Sequence, residues 1–142
     1  MKTDLDRKLS EHFTYRELMD PATQEVRLQP GFLQRLETVR KMLDAPMTIT
    51  SACRSPETMD RLRREGYRVA QNSFHQMFNK VHGTATCAVD VAVRDPVYNG
   101  KLIRIALQQE WRVFSYKGHI HLDLGNLYAD KIPNEPVFVR ID

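Results

Sequence analysis

Between residues 30 and 44 the apolar positions Phe32, Leu33, Leu36, Val39, Met42 and Leu43 recur at helical spacing. That pattern predicts an amphipathic helix with a buried stripe, opening at Pro30, running to about Asp44 and closed off by Pro46. Upstream, Thr14 with Glu17 three residues later is a capping box, so a short helix is expected to start near Tyr15 and stop before Pro21. Residues 47–52 alternate with β-branched side chains and predict a strand. Ser55 before Pro56 marks the N-cap and first position of a third helix, which Gly66 ends. Residues 67–70 are expected to form a short strand. Residues 71–86 follow neither period and have few strong apolar anchors, which predicts a long loop. Long loops inside compact domains are uncommon and often functional.

Residues 87–93 predict a strand that buries nearly everything except Asp90, and residues 96–111 predict a helix through Leu102, Ile103, Ile105, Ala106 and Leu107. The β-branched and aromatic run 112–116, a break at Lys117-Gly118 and residues 119–124 predict a hairpin. A last strand is expected at 136–141. Helices mainly from the N-terminal half, packed on a small antiparallel sheet, make a single α+β domain over residues 1–142.

The second hairpin strand changes this picture from fold to chemistry. Alternation puts His119, His121 and Asp123 on one face and Ile120, Leu122 and Leu124 on the other, towards a core. Three polar groups on one face of an apolar strand either meet solvent or line a cleft where a divalent metal offsets their desolvation. Asp90 poses the same question, because a lone Asp in a strand of valines and alanines is costly unless it caps a loop, is paired or holds a metal. Two histidines, His75 and His82, lie in the long loop upstream. Histidine from a loop, Asp from one strand and His from another can supply the three protein ligands of a zinc hydrolase, with a fourth position left for water.

Composition narrows the function classes. Hydrophobic residues make up 42% and charged residues 27%, as in ordinary globular domains. The net charge of +3 is mild, and no basic run is interleaved with aromatics, so no nucleic-acid partner is expected. No apolar run is long enough for a membrane span. The first residues lack an apolar signal-peptide core, so the chain is expected to be made in the cytoplasm. Cys53 and Cys87 are too few for a disulfide framework and read as buried free thiols or a single bridge.

Four stretches, in order, resemble the zinc D-alanyl-D-alanine carboxypeptidase family with its phage endolysin and phage-associated members. Ser10-Glu11-His12-Phe13-Thr14 with Glu17 is similar to the family's entry segment, and Thr50-Ser51-Ala52-Cys53-Arg54-Ser55-Pro56 to its S-G-Y-R-S-P segment. Ser73-Phe74-His75 and Ala88-Val89-Asp90 resemble the halves of the S-x-H-x-x-G-x-A-x-D zinc motif, and His119-Ile120-His121 the closing H-x-H. The resemblance implies a Zn2+ ion held by His75, Asp90 and His121, and cleavage of a peptidoglycan stem peptide by metal-activated water. It implies His119 as general base or transition-state donor, and Arg54 as the cation that meets the developing oxyanion or a substrate carboxylate. The alternative for Arg54 is a surface ion pair with Glu57 or Asp60. Ser73 would hydrogen-bond substrate or orient the His75 loop.

The chain departs from the family at three places. His75 stands fifteen residues before Asp90, further than in the motif, so either the loop holds an insertion or His82 is the ligand. The S-x-H shape favours His75. Thr86, followed by Cys87, replaces the motif's glycine, and Gly118 stands where some members carry a glutamate. The last change leaves two readings, an H-x-H peptidase or a non-catalytic phage structural or wall-binding protein that keeps the fold. Either is expected to be a monomer that reaches the wall on lysis or within a phage particle.

Overall fold

The predicted hairpin sits inside a five-stranded sheet. The computed structural model describes residues 4–79, 82–128 and 138–141. Its elements are α1 (Tyr15–Leu18), α2 (Phe32–Leu43), β1 (Ile49–Ser51), α3 (Pro56–Arg64), β2 (Ala88–Ala92), α4 (Pro96–Gln108), β3 (Arg112–Ser115), β4 (His119–Asp123), α5 (Gly125–Tyr128) and β5 (Phe138–Arg140). The strand order is β1-β2-β4-β3-β5. The α+β class is the predicted one, but the sheet is mixed rather than antiparallel. Three strand pairs are antiparallel, whereas β5 runs parallel to β3 with Phe114 opposite Val139. A strand that is not joined by a tight turn has no obligation to reverse direction, and only a turn's chemistry is readable locally. Within the expected strand at 136–141, residues 136 and 137 lie outside the described residues.

Local chemistry accounts for the element ends. Thr14 and Glu17 form the reciprocal capping box, and Ser55 and Asp95 cap α3 and α4, each with proline in the first turn. Helix α2 starts after Gly31 (φ 83°) and ends at Asp44 (φ 51°), both left-handed. Helix α4 stops short of the expected Trp111, because Glu110 takes φ 67° and the Trp111 N–H bonds back to the Ala106 carbonyl. That reversal drives the Trp111 ring into the core, edge-on to Phe32 at 5.4 Å. Residues 67–70 form no strand; they run irregularly past the end of α3.

One core joins the described elements. Val89, Val91, Val113, Ile120, Leu122 and Leu124 come from the sheet, Phe32, Leu36, Val39 and Leu43 from α2, and Leu102, Ile105 and Ala106 from α4. Each such fully buried aliphatic or aromatic side chain stabilises the fold by about 1.5–3 kcal/mol. The helix against the hairpin is α4 from mid-chain, with α2 packed on α4. The α2 stripe departs from expectation at two positions: Met42 is exposed, and Glu37 is buried instead. Glu37 accepts hydrogen bonds from the Ser10 hydroxyl and from the His12 amide and ring, pinning the N-terminal segment to the helix. Among the described residues no helix is long and apolar enough to cross a membrane.

Candidate metal centre

Cross-strand register builds the site. Ser51 of β1 lies opposite Asp90 of β2, Asp90 opposite His121 of β4, and His121 opposite Phe114 of β3, one rung across four strands. Their neighbours Val89, Val91, Ile120 and Leu122 are buried in the core. Asp90 is buried too, at 5% exposure, contrary to the expectation that it is the exception in its strand. The long loop then lays His75 over this rung. Its backbone is tied to Arg54 by paired bonds, Arg54 N–H to the His75 carbonyl and Met77 N–H to the Arg54 carbonyl. Met77 is fully buried, an anchor that the loop's composition hid. Thr86, at the motif's glycine position, donates its hydroxyl to the His75 carbonyl at 2.7 Å and so holds the loop.

Three acceptor atoms converge. His75 Nε2, Asp90 Oδ1 and His121 Nδ1 are separated by 3.1, 3.2 and 3.0 Å. Each histidine's other ring nitrogen has an acceptor, which assigns its proton. His75 Nδ1 donates to the Ala52 carbonyl at 2.8 Å, and His121 Nε2 donates to Asp123 Oδ2 at 2.8 Å. Both rings therefore turn a lone pair towards the Asp90 carboxylate. Lone pairs packed this closely need a cation or a shared proton between them. Burial holds the His75 pKa below its ordinary value, with Asp90 opposing. Burial would also lower His121, but the hydrogen bonds to Asp123 and Asp90 outweigh it and push His121 up to about 9. For Asp90 burial acts upward, and His75 and His121 together hold it well below the usual carboxylate range. Without metal, the His121 imidazolium is thus the cation that satisfies the cluster.

The donor set suits zinc: two imidazole nitrogens and one carboxylate oxygen, all within 4.8 Å of one another. Asp123 adds a carboxylate behind His121, the arrangement that orients metal-bound imidazoles and raises their basicity. Alternation put Asp123 on the right face, but nothing in the sequence pointed to this orienting role. His82 lies elsewhere. It is buried, with Nε2 3.0 Å from the Ser73 carbonyl and its ring tilted against Phe74, so it props the His75 loop.

The other predicted residues surround the cluster. Arg54 donates Nε to Ser51 Oγ at 2.9 Å and Nη2 to Asp90 Oδ2 at 3.3 Å, and makes no ion pair with Glu57 or Asp60 among the described residues. Desolvation lowers its pKa, and the Asp90 charge opposes that. His119 is 37% exposed and stacks on Tyr116 at 4.6 Å, with Nε2 3.8 Å from Asp90 Oδ2. Ser73 Oγ accepts the His75 N–H at 3.2 Å. All of these line a cleft of about 420 Å³, walled on one side by residues 67–70. Searches of family models, curated proteins and solved structures find no match to this chain.

Proposed function

We propose that this chain is a zinc-dependent peptidase that hydrolyses peptidoglycan stem peptides, as carboxypeptidase or endopeptidase. The observation that carries the reading is the convergence of three lone-pair donors, two of them oriented by a second acceptor, at the floor of an open cleft. His75, Asp90 and His121 would hold the ion. Zinc bound there supplies Lewis acidity and a water activated near neutral pH.

The chain's own residues divide the remaining work. His119, on the open side of the cluster with its ring steadied by Tyr116, takes or returns the proton. Arg54 keeps a permanent positive charge beside Asp90, where charge develops on the substrate carbonyl. Ser73 acts by positioning the His75 loop. The choice of peptidoglycan peptide as substrate, and of a site of action at the wall after lysis or in a phage particle, comes from the four-stretch resemblance. Gly118 supports a second reading, a wall-binding protein that keeps the metal site without turnover.

Elemental analysis of chelator-free protein tests the metal. About one zinc per chain is expected, lost in His75→Ala and His121→Ala and kept in His82→Ala. No zinc in the parent after dialysis against it would sink the proposal. Incubation with purified cell wall separates the two readings. Released peptides or amino acids that disappear in Asp90→Asn support the peptidase, whereas zinc binding and wall binding without release support the binding protein.

A further inference from the structure

The β3–β4 hairpin turns two rows of side chains towards the cleft. Register sets Arg112 opposite Asp123 and Phe114 opposite His121, and the Tyr116 N–H bonds to the His119 carbonyl at 2.9 Å. Alternation therefore puts Tyr116 on the face of Phe114, and all six side chains line the cleft. The half-buried Tyr116 ring stacks on the His119 imidazole at 4.6 Å, with 14° between the planes. A phenol held flat on its neighbour, with the backbone of both tied together, keeps one position. Its hydroxyl has no hydrogen-bond partner among the described residues. Burial and the Asp90 and Asp123 charges raise its pKa, so at neutral pH it carries its proton.

The donors packed around the cluster have other partners. Arg54 spends Nε on Ser51 and Nη2 on Asp90, so its charge is near but two of its bonds are taken. Ser73 is tied to the His75 backbone. A carbonyl oxygen that gains charge is best met by a donor fixed beforehand and still free to bond. We propose that Tyr116 is a catalytic residue whose hydroxyl donates a hydrogen bond to the oxyanion forming on the substrate carbonyl. Arg54 supplies charge from the Ser51 side, and Tyr116 supplies direction from the hairpin side. The phenol keeps its proton throughout; only the hydrogen bond strengthens as the carbonyl electron pair moves onto oxygen. This role rests on the peptidase reading above.

Tyr116→Phe keeps the ring on His119 and removes only the hydroxyl. With zinc-loaded protein and the soluble stem pentapeptide L-Ala-γ-D-Glu-L-Lys-D-Ala-D-Ala, its kcat is expected to fall by about 100-fold or more. KM should stay within about twofold of the parent's, with zinc content unchanged. Acetohydroxamate, which offers zinc an anionic oxygen, should bind the variant at least about threefold more weakly. In zinc-loaded parent labelled with 13Cζ-tyrosine, the Tyr116 resonance should move on adding acetohydroxamate, which keeps the test open if the variant does not fold. A resonance that stays put overturns the role. So does a rise in KM alone, which makes the hydroxyl a ground-state contact. Loss of zinc along with activity assigns Tyr116 to support of the cluster and overturns it too. Peptide cleavage that Tyr116→Phe retains in full removes this role alone; a zinc-loaded parent that cleaves no peptide removes the peptidase reading and the role together.

Discussion

The charge state of one imidazole decides how the candidate centre meets a metal. With His121 pushed up to about 9, its Nδ1 carries a proton at neutral pH, shared with Asp90. Zinc binds the deprotonated ring, so loading at pH 7.5 is expected to release about one proton per ion. Calorimetry in buffers of different ionisation enthalpy reads that number directly. Proton release near zero would mean that the His121 ring is already neutral in the zinc-free chain. At this scale the sequence is informative for some residues and silent for others. Strand alternation placed His121 and Asp123 on one face without help. Between His75 and His82 alternation is silent and only the S-x-H resemblance favoured His75, because a loop histidine's direction is set by contacts such as those with Ala52 and Ser73.

Loop and sheet depend on one close approach. Gly125, directly after β4, faces the Phe74 ring so closely that an added Cβ would stand 2.6 Å from it. Phe74 precedes His75 and packs on Arg112, so its displacement would carry the His75 imidazole away from Asp90. Gly125→Ala is therefore expected to destabilise by about 1–3 kcal/mol and to weaken zinc binding by about tenfold or more. A denaturant titration and a competitive chelator assay measure the two effects. Wild-type zinc affinity in this variant would show that Phe74 does not position the ligand. The element-scale reading of the sequence succeeded where caps and periods are local, as at Thr14 and Ser55. It failed at residues 67–70 and at the direction of β5, where the partner's position decides the outcome.

Acidic clamps tie segments of the molecule that are distant in sequence. Asp20, fully buried, accepts from Ala22, Thr23, Ser55 and Thr58, and so ties the segment after α1 to the start of α3 next to Arg54. Glu37 ties the N-terminal segment to α2. Burial acts to raise both carboxyls, but hydrogen bonds from Thr58, Ser55 and Thr23 on Asp20, and from Ser10 and His12 on Glu37, lower them overall. A carboxyl lowered in the native state stabilises it above the unfolded value, roughly 4, and loses that contribution as pH falls through the native value. His121 works in the opposite sense, stabilising fully below about 6.5 and losing its contribution as pH rises through about 9. The zinc-free chain should therefore melt highest between about pH 5 and 7 and lower on either side. Asp20→Asn should cost about 1.5–3 kcal/mol and flatten the acid limb. An unchanged acid limb in that variant would remove Asp20 as its cause.

The sequence by itself determined helices α1 to α4, the hairpin and the two faces of β4, because capping, turn chemistry and alternation are set by neighbours along the chain; the short α5 was not among its readings. It also marked Asp90 as costly, since an acid among buried valines and alanines needs a partner wherever it lies. Only the tertiary structure decided the rest. The loop folds His75 rather than His82 over Asp90 because Met77 is buried, Thr86 holds the His75 carbonyl and Arg54 pairs with the loop backbone. Arg54 turns to Asp90, and Arg112 meets the Phe74 ring, each through a residue distant in sequence. The physical reason is the same in each case. Secondary structure follows from interactions over a few residues, whereas the direction and protonation of a site's side chains follow from the desolvated groups that folding brings around them.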